Sequence, residues 1–216
     1  MKYKTVLFDW DGCLLNNLPT WLGIYTNILD KYDIRISNKE IAEKLFGDWN
    51  GPLKVGLKEN RLKQFNLDLL SLADTILPDS PLHLGARELL STLIESDVQL
   101  GLVSSSKLET VMPILRKHCL YDYFEVIITA DMIKEHKPNP ESILKAMGRL
   151  DSKNNSTLMV GDSEKDILAA HKAEIDSVLF LPGMHNDIYN FEFLKSTKPT
   201  YIVKNLTEIL ELNGKI

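Results

Sequence analysis

Cysteine is scarce in this chain of 216 residues, which has two cysteines and five histidines. Two cysteines cannot build the disulfide framework that stabilises many small secreted domains. Cys13 and Cys119 also lack the spacing to histidine that a structural zinc site requires. We therefore expect both side chains to be reduced thiols.

The chain also lacks a basic excess and a long apolar run. Its 25 basic and 30 acidic residues give a net charge of −5, which offers no field to attract a nucleic-acid backbone. No apolar stretch approaches the ~18 residues that a membrane helix needs. We expect a cytoplasmic protein that binds neither nucleic acid nor a membrane. With 44% hydrophobic and 25% charged residues, the composition is that of an ordinary globular protein and agrees with an enzyme that binds a small soluble ligand.

Short apolar runs alternate with amphipathic helical segments over most of the chain. The runs predict six strands, at 3–8, 98–103, 126–129, 157–160, 178–181 and 201–203. Strands separated by helices favour a parallel sheet that is covered on both faces. The predicted fold class is therefore α/β, with ligands bound beyond the carboxyl ends of the strands.

The segment after the first strand has a helical period instead. Apolar residues recur at three- and four-residue steps from Leu18 to Tyr32, as in an amphipathic helix. A capping box from Ser37 to Glu40 begins a second helix that we expect to end at Gly47, and helical pattern follows from 52 to 77. The first strand can join the sheet only around an insertion. We therefore predict a core of residues 1–16 and 83–216 and a helical cap of residues 17–82, called the cap below.

Polar side chains follow the predicted strands at sites suited to phosphoryl transfer, which needs an oxygen nucleophile, neutralising charge and an acid for the leaving oxygen. The candidates are Asp9, Asp11, Ser104, Ser105, Lys137 and Asp162. An isolated Asp-x-Asp pair also occurs in surface turns and calcium loops. The calcium interpretation fails because, counted from Asp9, position six is Leu14 rather than glycine and position twelve is Thr20 rather than glutamate.

Together these residues resemble the four motifs of the haloacid dehalogenase-like hydrolase superfamily, in its phosphatase and β-phosphoglucomutase-like branch with a helical cap. The resemblance implies a Rossmann-like core. It also implies that Asp9 attacks phosphorus to form an aspartyl phosphate, while Asp11 protonates the leaving group and then activates water. Mg²⁺ is the implied cofactor, held by the Asp9 side chain, the Asp11 backbone carbonyl and Asp162.

Supporting roles are expected of five further residues, the first three of them by the resemblance. Lys137 offsets charge between the nucleophile and the phosphate, and Ser104 and Ser105 bind phosphate oxygens. Ser106 is expected to cap the helix that follows. Asp166, one helical turn beyond the last metal ligand, is expected to orient the site or cap its helix, with direct ligation as the less common alternative.

The chain departs from the family pattern at three positions. Cys13 stands where the first motif usually has threonine, and Asn16 also replaces a usual residue nearby. Both are expected to alter the pocket rather than the chemistry. Glu174 replaces the glycine that commonly follows the fourth-motif helix, which changes a helix stop signal.

Selectivity is expected to come from the cap, because the core motifs handle only the phosphoryl group. Asn17 and Trp49 are the candidates for substrate contact, and Trp49 lies between Gly47 and Gly51 on a loop that can cover a ligand. Trp21 fits the apolar stripe of its helix and is predicted to belong to the core of the cap.

The first functional hypothesis is a Mg²⁺-dependent phosphatase of a small phosphate monoester, such as a sugar phosphate or a phosphoglycolate-like acid. The alternative is a sugar phosphomutase, although such mutases tend to carry an arginine where this cap loop has Asn50. A dehalogenase would need neither Asp11 nor Asp162, and a receiver domain would need about half this length and no cap. A catalytically inactive scaffold is the non-enzyme alternative, and monomer and homodimer both stay open.

Overall fold

In the computed structural model, which describes residues 2–212 and 214, six parallel strands form one sheet in the order β3-β2-β1-β4-β5-β6. The strands are Thr5–Phe8 (β1), Gln99–Val103 (β2), Val126–Ile128 (β3), Thr157–Gly161 (β4), Asp176–Phe180 (β5) and Tyr201–Val203 (β6). The α/β fold class with a Rossmann-like parallel sheet is confirmed. Residues 1, 213, 215 and 216 of the predicted core lie outside the described residues.

Helices follow the strands as the sequence pattern predicts. They are Leu18–Lys31 (α1), Asn38–Lys44 (α2), Glu59–Ile76 (α3), Ala86–Ile94 (α4), Leu108–Lys117 (α5), Glu141–Leu150 (α6), Glu164–Lys172 (α7), Phe191–Ser196 (α8) and Ile209–Leu212 (α9). Helices α1 to α3 lie between β1 and α4 along the chain, where the cap is predicted. The exact boundaries of the cap stay a prediction.

Two helix bounds in the cap differ from expectation. The capping box of Ser37 and Glu40 forms, but α2 ends at Lys44 rather than at Gly47. The helical pattern from residue 52 divides into a short 3-10 turn and α3, because Gly56 takes a left-handed φ of 97° that ends the first turn. Glycine reaches this conformation without steric cost, so the turn at Gly56 interrupts the helical pattern that the spacing of apolar residues predicts.

Strand β1 lies at the centre of the sheet and brings the site together. Every residue of β1 is buried, as expected of a parallel strand covered on both faces. Its register pairs Phe8 with Leu102 of β2 and with Val160 of β4. The residues that follow these three strands therefore meet at one edge of the sheet.

The helices of the described part of the chain include none that is long and apolar enough to cross a membrane.

Candidate active site

Asp9 and Lys137 form a buried ion pair at the carboxyl end of β1. The Lys137 Nζ donates to Asp9 Oδ1 at 2.6 Å, to Asp166 Oδ1 at 2.6 Å and to the Val103 carbonyl at 3.0 Å. Although burial lowers it, the carboxylates of Asp166 and Asp9 raise the pKa of Lys137 above its ordinary value. The amine is therefore charged, and one cation lies between two carboxylates.

The positive charge of Lys137 does not fully compensate the burial of the Asp9 carboxylate. Burial raises the pKa of Asp9 to about 7, and the charge of Lys137 opposes that rise only in part. The carboxylates of Asp166 and Asp11 add to the rise. A further cation beside Asp9 would favour the ionised form of its carboxyl group.

The acidic residues around Asp9 fit a hard divalent cation. Oxygen atoms of Asp9, Asp162 and Asp166 lie within 4.8 Å of one another, and all three side chains are buried. The Oδ2 atom of Asp162 has no hydrogen-bond partner among the residues described. A buried carboxylate oxygen without a partner is costly, and carboxylate oxygens are ligands that Mg²⁺ prefers. These residues therefore suit a magnesium ion.

The backbone at Gly12 leaves room for this carboxylate. A Cβ atom at position 12 would lie 2.3 Å from Asp162 Oδ2, and Gly12 has a left-handed φ of 83°. Both observations require glycine, because a side chain would displace the Asp162 oxygen and would strain the turn.

Asp166 has partners for both of its oxygens. Besides the Lys137 bond to Oδ1, its Oδ2 accepts from the Ser163 hydroxyl at 2.6 Å and from the Ser163 backbone N–H at 3.2 Å. This capping box starts α7. A Cβ atom at Gly161 would lie 2.3 Å from the Asp166 Cγ, so glycine lets Asp166 reach back to the strand end. The expected helix-capping role of Asp166 is present, and its oxygens are engaged by protein donors.

Asp11 is held by three neutral donors. The Asn17 amide and the Trp21 indole N–H donate to Asp11 Oδ1 at 2.6 and 2.9 Å, and the Ser106 hydroxyl donates to Oδ2 at 2.7 Å. The Gly12 backbone N–H donates to Asn17 Oδ1 at 3.1 Å, which fixes the orientation of that amide. Both oxygens of the Asp11 carboxylate are thus oriented at the edge of the sheet.

These contacts bear on three expectations from the sequence. Ser106 does not cap α5, whose N-cap is Lys107, but binds Asp11. Asn17 is fully buried and lies against Asp11 rather than on the pocket wall. Trp21 belongs to the hydrophobic core as predicted, and its indole N–H also reaches Asp11.

Ser104 and Ser105 follow β2 at the same edge. The Ser104 hydroxyl is buried and accepts from the Ser106 backbone N–H at 3.0 Å. Ser105 lines the cavity above Asp9. Their predicted contact with phosphate oxygens stays a prediction.

The cysteine at the first motif is an internal packing residue. Cys13 is a free, fully buried thiol whose Sγ donates to the Val160 carbonyl at 3.6 Å. Burial raises its pKa well above the ordinary value. Cys119 is also free, as predicted, and is exposed.

A cavity of about 420 Å³ opens above the carboxylates. Asp9, Asp11, Lys137 and Asp162 line it from the core, and Trp49 lines it from the cap as expected. The Lys165 amine on α7 donates to the Phe46 carbonyl in the cap. The cavity thus lies between the core and the cap, with the candidate catalytic groups along its wall.

The segment after β5 supplies two residues that the sequence analysis missed. His185 is fully buried, and its Nδ1 lies 3.8 Å from Asp162 Oδ2. Burial and the neighbouring His83 lower the pKa of His185 to about 3, so its ring is neutral. The Tyr189 hydroxyl favours the charged form of Asp162. No motif marks this segment, and only the fold brings it to the carboxylate.

Comparison with known proteins gives relatives over the whole length of the chain. It is 27% identical over 223 residues to the pyrophosphatase PpaX of Oceanobacillus iheyensis. The alignment covers 99% of this chain and 98% of the relative. It is 25% identical to a phosphoglycolate phosphatase of Nitrosococcus oceani, which covers 97% of this chain and 96% of the relative.

Solved structures share the fold. The crystal structure of a hydrolase from Pseudomonas syringae superposes with a TM-score of 0.86 at 19% identity, covering 98% of each chain. A family model described as haloacid dehalogenase-like hydrolase matches residues 6–180, a range that contains every candidate residue from Asp9 to Asp166. The chain therefore belongs to the haloacid dehalogenase-like hydrolase family, and its curated relatives are phosphatases by name.

Proposed function

We propose that this protein is a Mg²⁺-dependent phosphatase that hydrolyses a small phosphate monoester through an aspartyl-phosphate intermediate on Asp9. One observation carries the proposal: Asp9 and Asp11 open onto one cavity but have different partners. Asp9 is paired with the charged Lys137, and Asp11 is held by neutral donors. This difference suits a nucleophile beside a general acid and base.

In the first step, a carboxylate oxygen of Asp9 attacks phosphorus and the bond to the alcohol oxygen breaks. Asp11 gives its proton to the departing alkoxide, so the alcohol leaves neutral. Lys137 offsets charge between Asp9 and the phosphate, and the groups that follow β2, Ser104 and Ser105, contact the phosphoryl oxygens. In the second step, Asp11 takes a proton from water, and the hydroxide releases phosphate from Asp9.

The metal would be held by the Asp9 side chain, the Asp11 backbone carbonyl and Asp162. When bound, Mg²⁺ supplies positive charge that lets the carboxylates and a phosphate dianion occupy the same site. The unpartnered Asp162 oxygen and the raised pKa of Asp9 support this assignment.

The substrate is a small phosphorylated metabolite, a sugar phosphate or a phosphoglycolate-like acid. The names of the relatives, pyrophosphatase and phosphoglycolate phosphatase, support a small phosphate compound. The cytoplasmic location and the choice between monomer and homodimer stay predictions from the sequence.

Release of phosphate tests this function. Purified protein with Mg²⁺ is assayed against sugar phosphates, phosphoglycolate and pyrophosphate, with Asp9→Asn as the inactive control. We expect release that disappears with EDTA and returns with added Mg²⁺. Full activity in EDTA would refute the metal assignment. Isomerised sugar phosphate without free phosphate would identify a mutase, and no turnover of any compound would favour the inactive scaffold.

A further inference from the structure

The wall of the cavity is rich in aromatic side chains. Six rings line it, from the cap and from the segment after β5: Trp21, Tyr25, Phe46, Trp49, Tyr189 and Phe193. Three of them form a continuous row, because the ring centroids of Trp21 and Tyr25 are 6.0 Å apart and those of Tyr25 and Phe46 are 5.7 Å apart.

The polar atoms of this row are already bound by protein groups. The Trp21 indole N–H donates to Asp11, and the Tyr25 hydroxyl donates to the Leu45 carbonyl at 3.2 Å. What these rings offer to a ligand is therefore apolar surface. Such surface binds the face of another ring by dispersion and by displacing water.

The charges around the cavity do not suit a second anionic group on the substrate. Away from the catalytic groups, the acidic lining residues Glu43 and Glu164 are matched in number by the lysines Lys39 and Lys165, and Asp48 is paired with Lys54 at 2.8 Å. The Lys165 amine already donates to the Phe46 carbonyl. Within the described part of the chain, no arginine lines this cavity.

Lys137 adds no surplus of positive charge, because Asp9 and Asp166 engage its amine. A carboxylate or a second phosphate would thus lose its hydration without a surplus of positive charge in the lining to compensate it.

We propose that the alcohol portion of the substrate is uncharged and carries a ring whose apolar face packs on the aromatic wall, with Trp49 as a specificity-determining residue. This inference rests on the proposed phosphatase function. Of the two proposed substrate classes it favours a sugar phosphate over a phosphoglycolate-like acid, and it separates this chain from enzymes whose leaving group bears a carboxylate or is itself a phosphate.

Trp49 is contacted by one residue of the core and one of the cap. The Lys107 Nζ, from the core, lies 5.5 Å from the centroid of the Trp49 ring, within the range of a cation–π contact. The Asn66 amide of α3 donates to the Trp49 carbonyl at 3.0 Å. A ring fixed in this way gives a ligand a surface that costs little ordering on binding.

The test compares benzyl phosphate with propyl phosphate, 2-phosphoglycolate and inorganic pyrophosphate by kcat/KM in the presence of Mg²⁺. Benzyl and propyl alcohol are both poor leaving groups, so the ratio of kcat/KM for the two esters measures the contribution of the ring. We expect benzyl phosphate to exceed each of the others at least tenfold. Equal or higher kcat/KM for phosphoglycolate or pyrophosphate would overturn the inference while leaving the phosphatase function in place.

Variants of Trp49 test whether this residue causes the preference for a substrate with a ring. Trp49→Leu should lower the ratio of benzyl to propyl phosphate about tenfold, and Trp49→Phe, which keeps a ring, should restore most of it. Tyr121→Leu removes an exposed aromatic ring that does not line the cavity and should leave the ratio unchanged. An unchanged ratio in Trp49→Leu would refute the role of Trp49.

Binding to the inactive Asp9→Asn variant, measured by calorimetry with Mg²⁺, separates this inference from the proposed function. Tighter binding of benzyl than of propyl phosphate without turnover by the native protein would refute only the phosphatase function. Equal binding of the two esters would overturn the aromatic site.

Discussion

Asp9 and Asp11 are two residues apart on the chain, yet the fold gives them opposite surroundings. The Asp9 side chain is 9% exposed and is bound by a lysine, whereas Asp11 is half-buried and is bound by an amide, an indole and a hydroxyl. A cationic partner compensates charge, while neutral donors fix the direction of the carboxyl group. The difference teaches that the fold gives identical side chains distinct electrostatic surroundings through the type of donor around them.

Replacing Asp9 should have the largest effect on activity. Asp9→Asn keeps the shape of the side chain but removes the nucleophile, so we expect phosphate release to fall by at least ~10⁴-fold. The melting temperature should stay close to that of the native protein, because Lys137 keeps its bond to Asp166. Phosphate release is the measurement, and appreciable turnover would refute covalent catalysis by Asp9.

Asp11→Asn provides the matched control. With 4-nitrophenyl phosphate, whose leaving group needs no acid, this variant should release one burst of nitrophenolate and then stall, because water is no longer activated. Asp9→Asn should give no burst. The same time course from both variants would contradict the division of roles.

Replacing Lys137 tests how much its ion pairs with Asp9 and Asp166 contribute to stability. Lys137→Met leaves the buried Asp9 and Asp166 without their cation, so the free energy of unfolding without Mg²⁺ should fall by about 3–5 kcal/mol. Urea denaturation followed by circular dichroism measures this loss. Lys165→Met, which removes a lysine that donates to a backbone carbonyl, is the control and should cost less. Equal losses would show that Lys137 has no special electrostatic role.

Replacing Trp21 tests the contribution of the neutral donors around Asp11. Trp21→Phe keeps an aromatic ring in the core but removes the N–H that donates to Asp11 Oδ1. Since a hydrogen bond to a charged group contributes about 1.5–3 kcal/mol and Asn17 still binds the same oxygen, we expect kcat to fall roughly tenfold. The KM for propyl phosphate should change little. A rise in KM at constant kcat would mean that Trp21 acts on binding and not on the orientation of Asp11.

Glu174, at the far end of α7 from the site, gives the smallest effect and a reference for the others. It follows the helix with a left-handed φ of 57°, a conformation that glycine adopts without strain. Glu174→Gly should raise the free energy of unfolding by about 0.5–1 kcal/mol and leave kcat unchanged. Glu174→Ala is the control, since alanine shares the strain. Stabilisation by alanine but not by glycine would refute the backbone explanation.

The sequence was a good guide where one local pattern decides the outcome. The apolar runs located all six strands because a buried parallel strand is apolar on both faces, and the residues after β1, β2 and β4 meet as expected. Capping by Ser37 and Glu40 was also predicted, since both side chains lie within one turn.

The partners of Asp11 could not be derived in the same way. Ser106 is 95 residues from Asp11 along the chain, and a serine before a helix is equally compatible with capping. Trp21 satisfies the helical period whether or not its indole N–H has a partner. His185 and Tyr189 reach Asp162 only through the path of the chain after β5, which no short motif encodes.

The central position of β1 has a consequence for the newly made chain. β1 is synthesised first, but its two neighbours in the sheet end at residues 103 and 161. A ribosome must therefore reach residue 161 before β1 is enclosed on both edges. Until then Asp9 and Lys137 cannot be joined by Asp162 and Asp166, so a nascent chain that ends before these residues lacks the assembled cluster of carboxylates around Lys137.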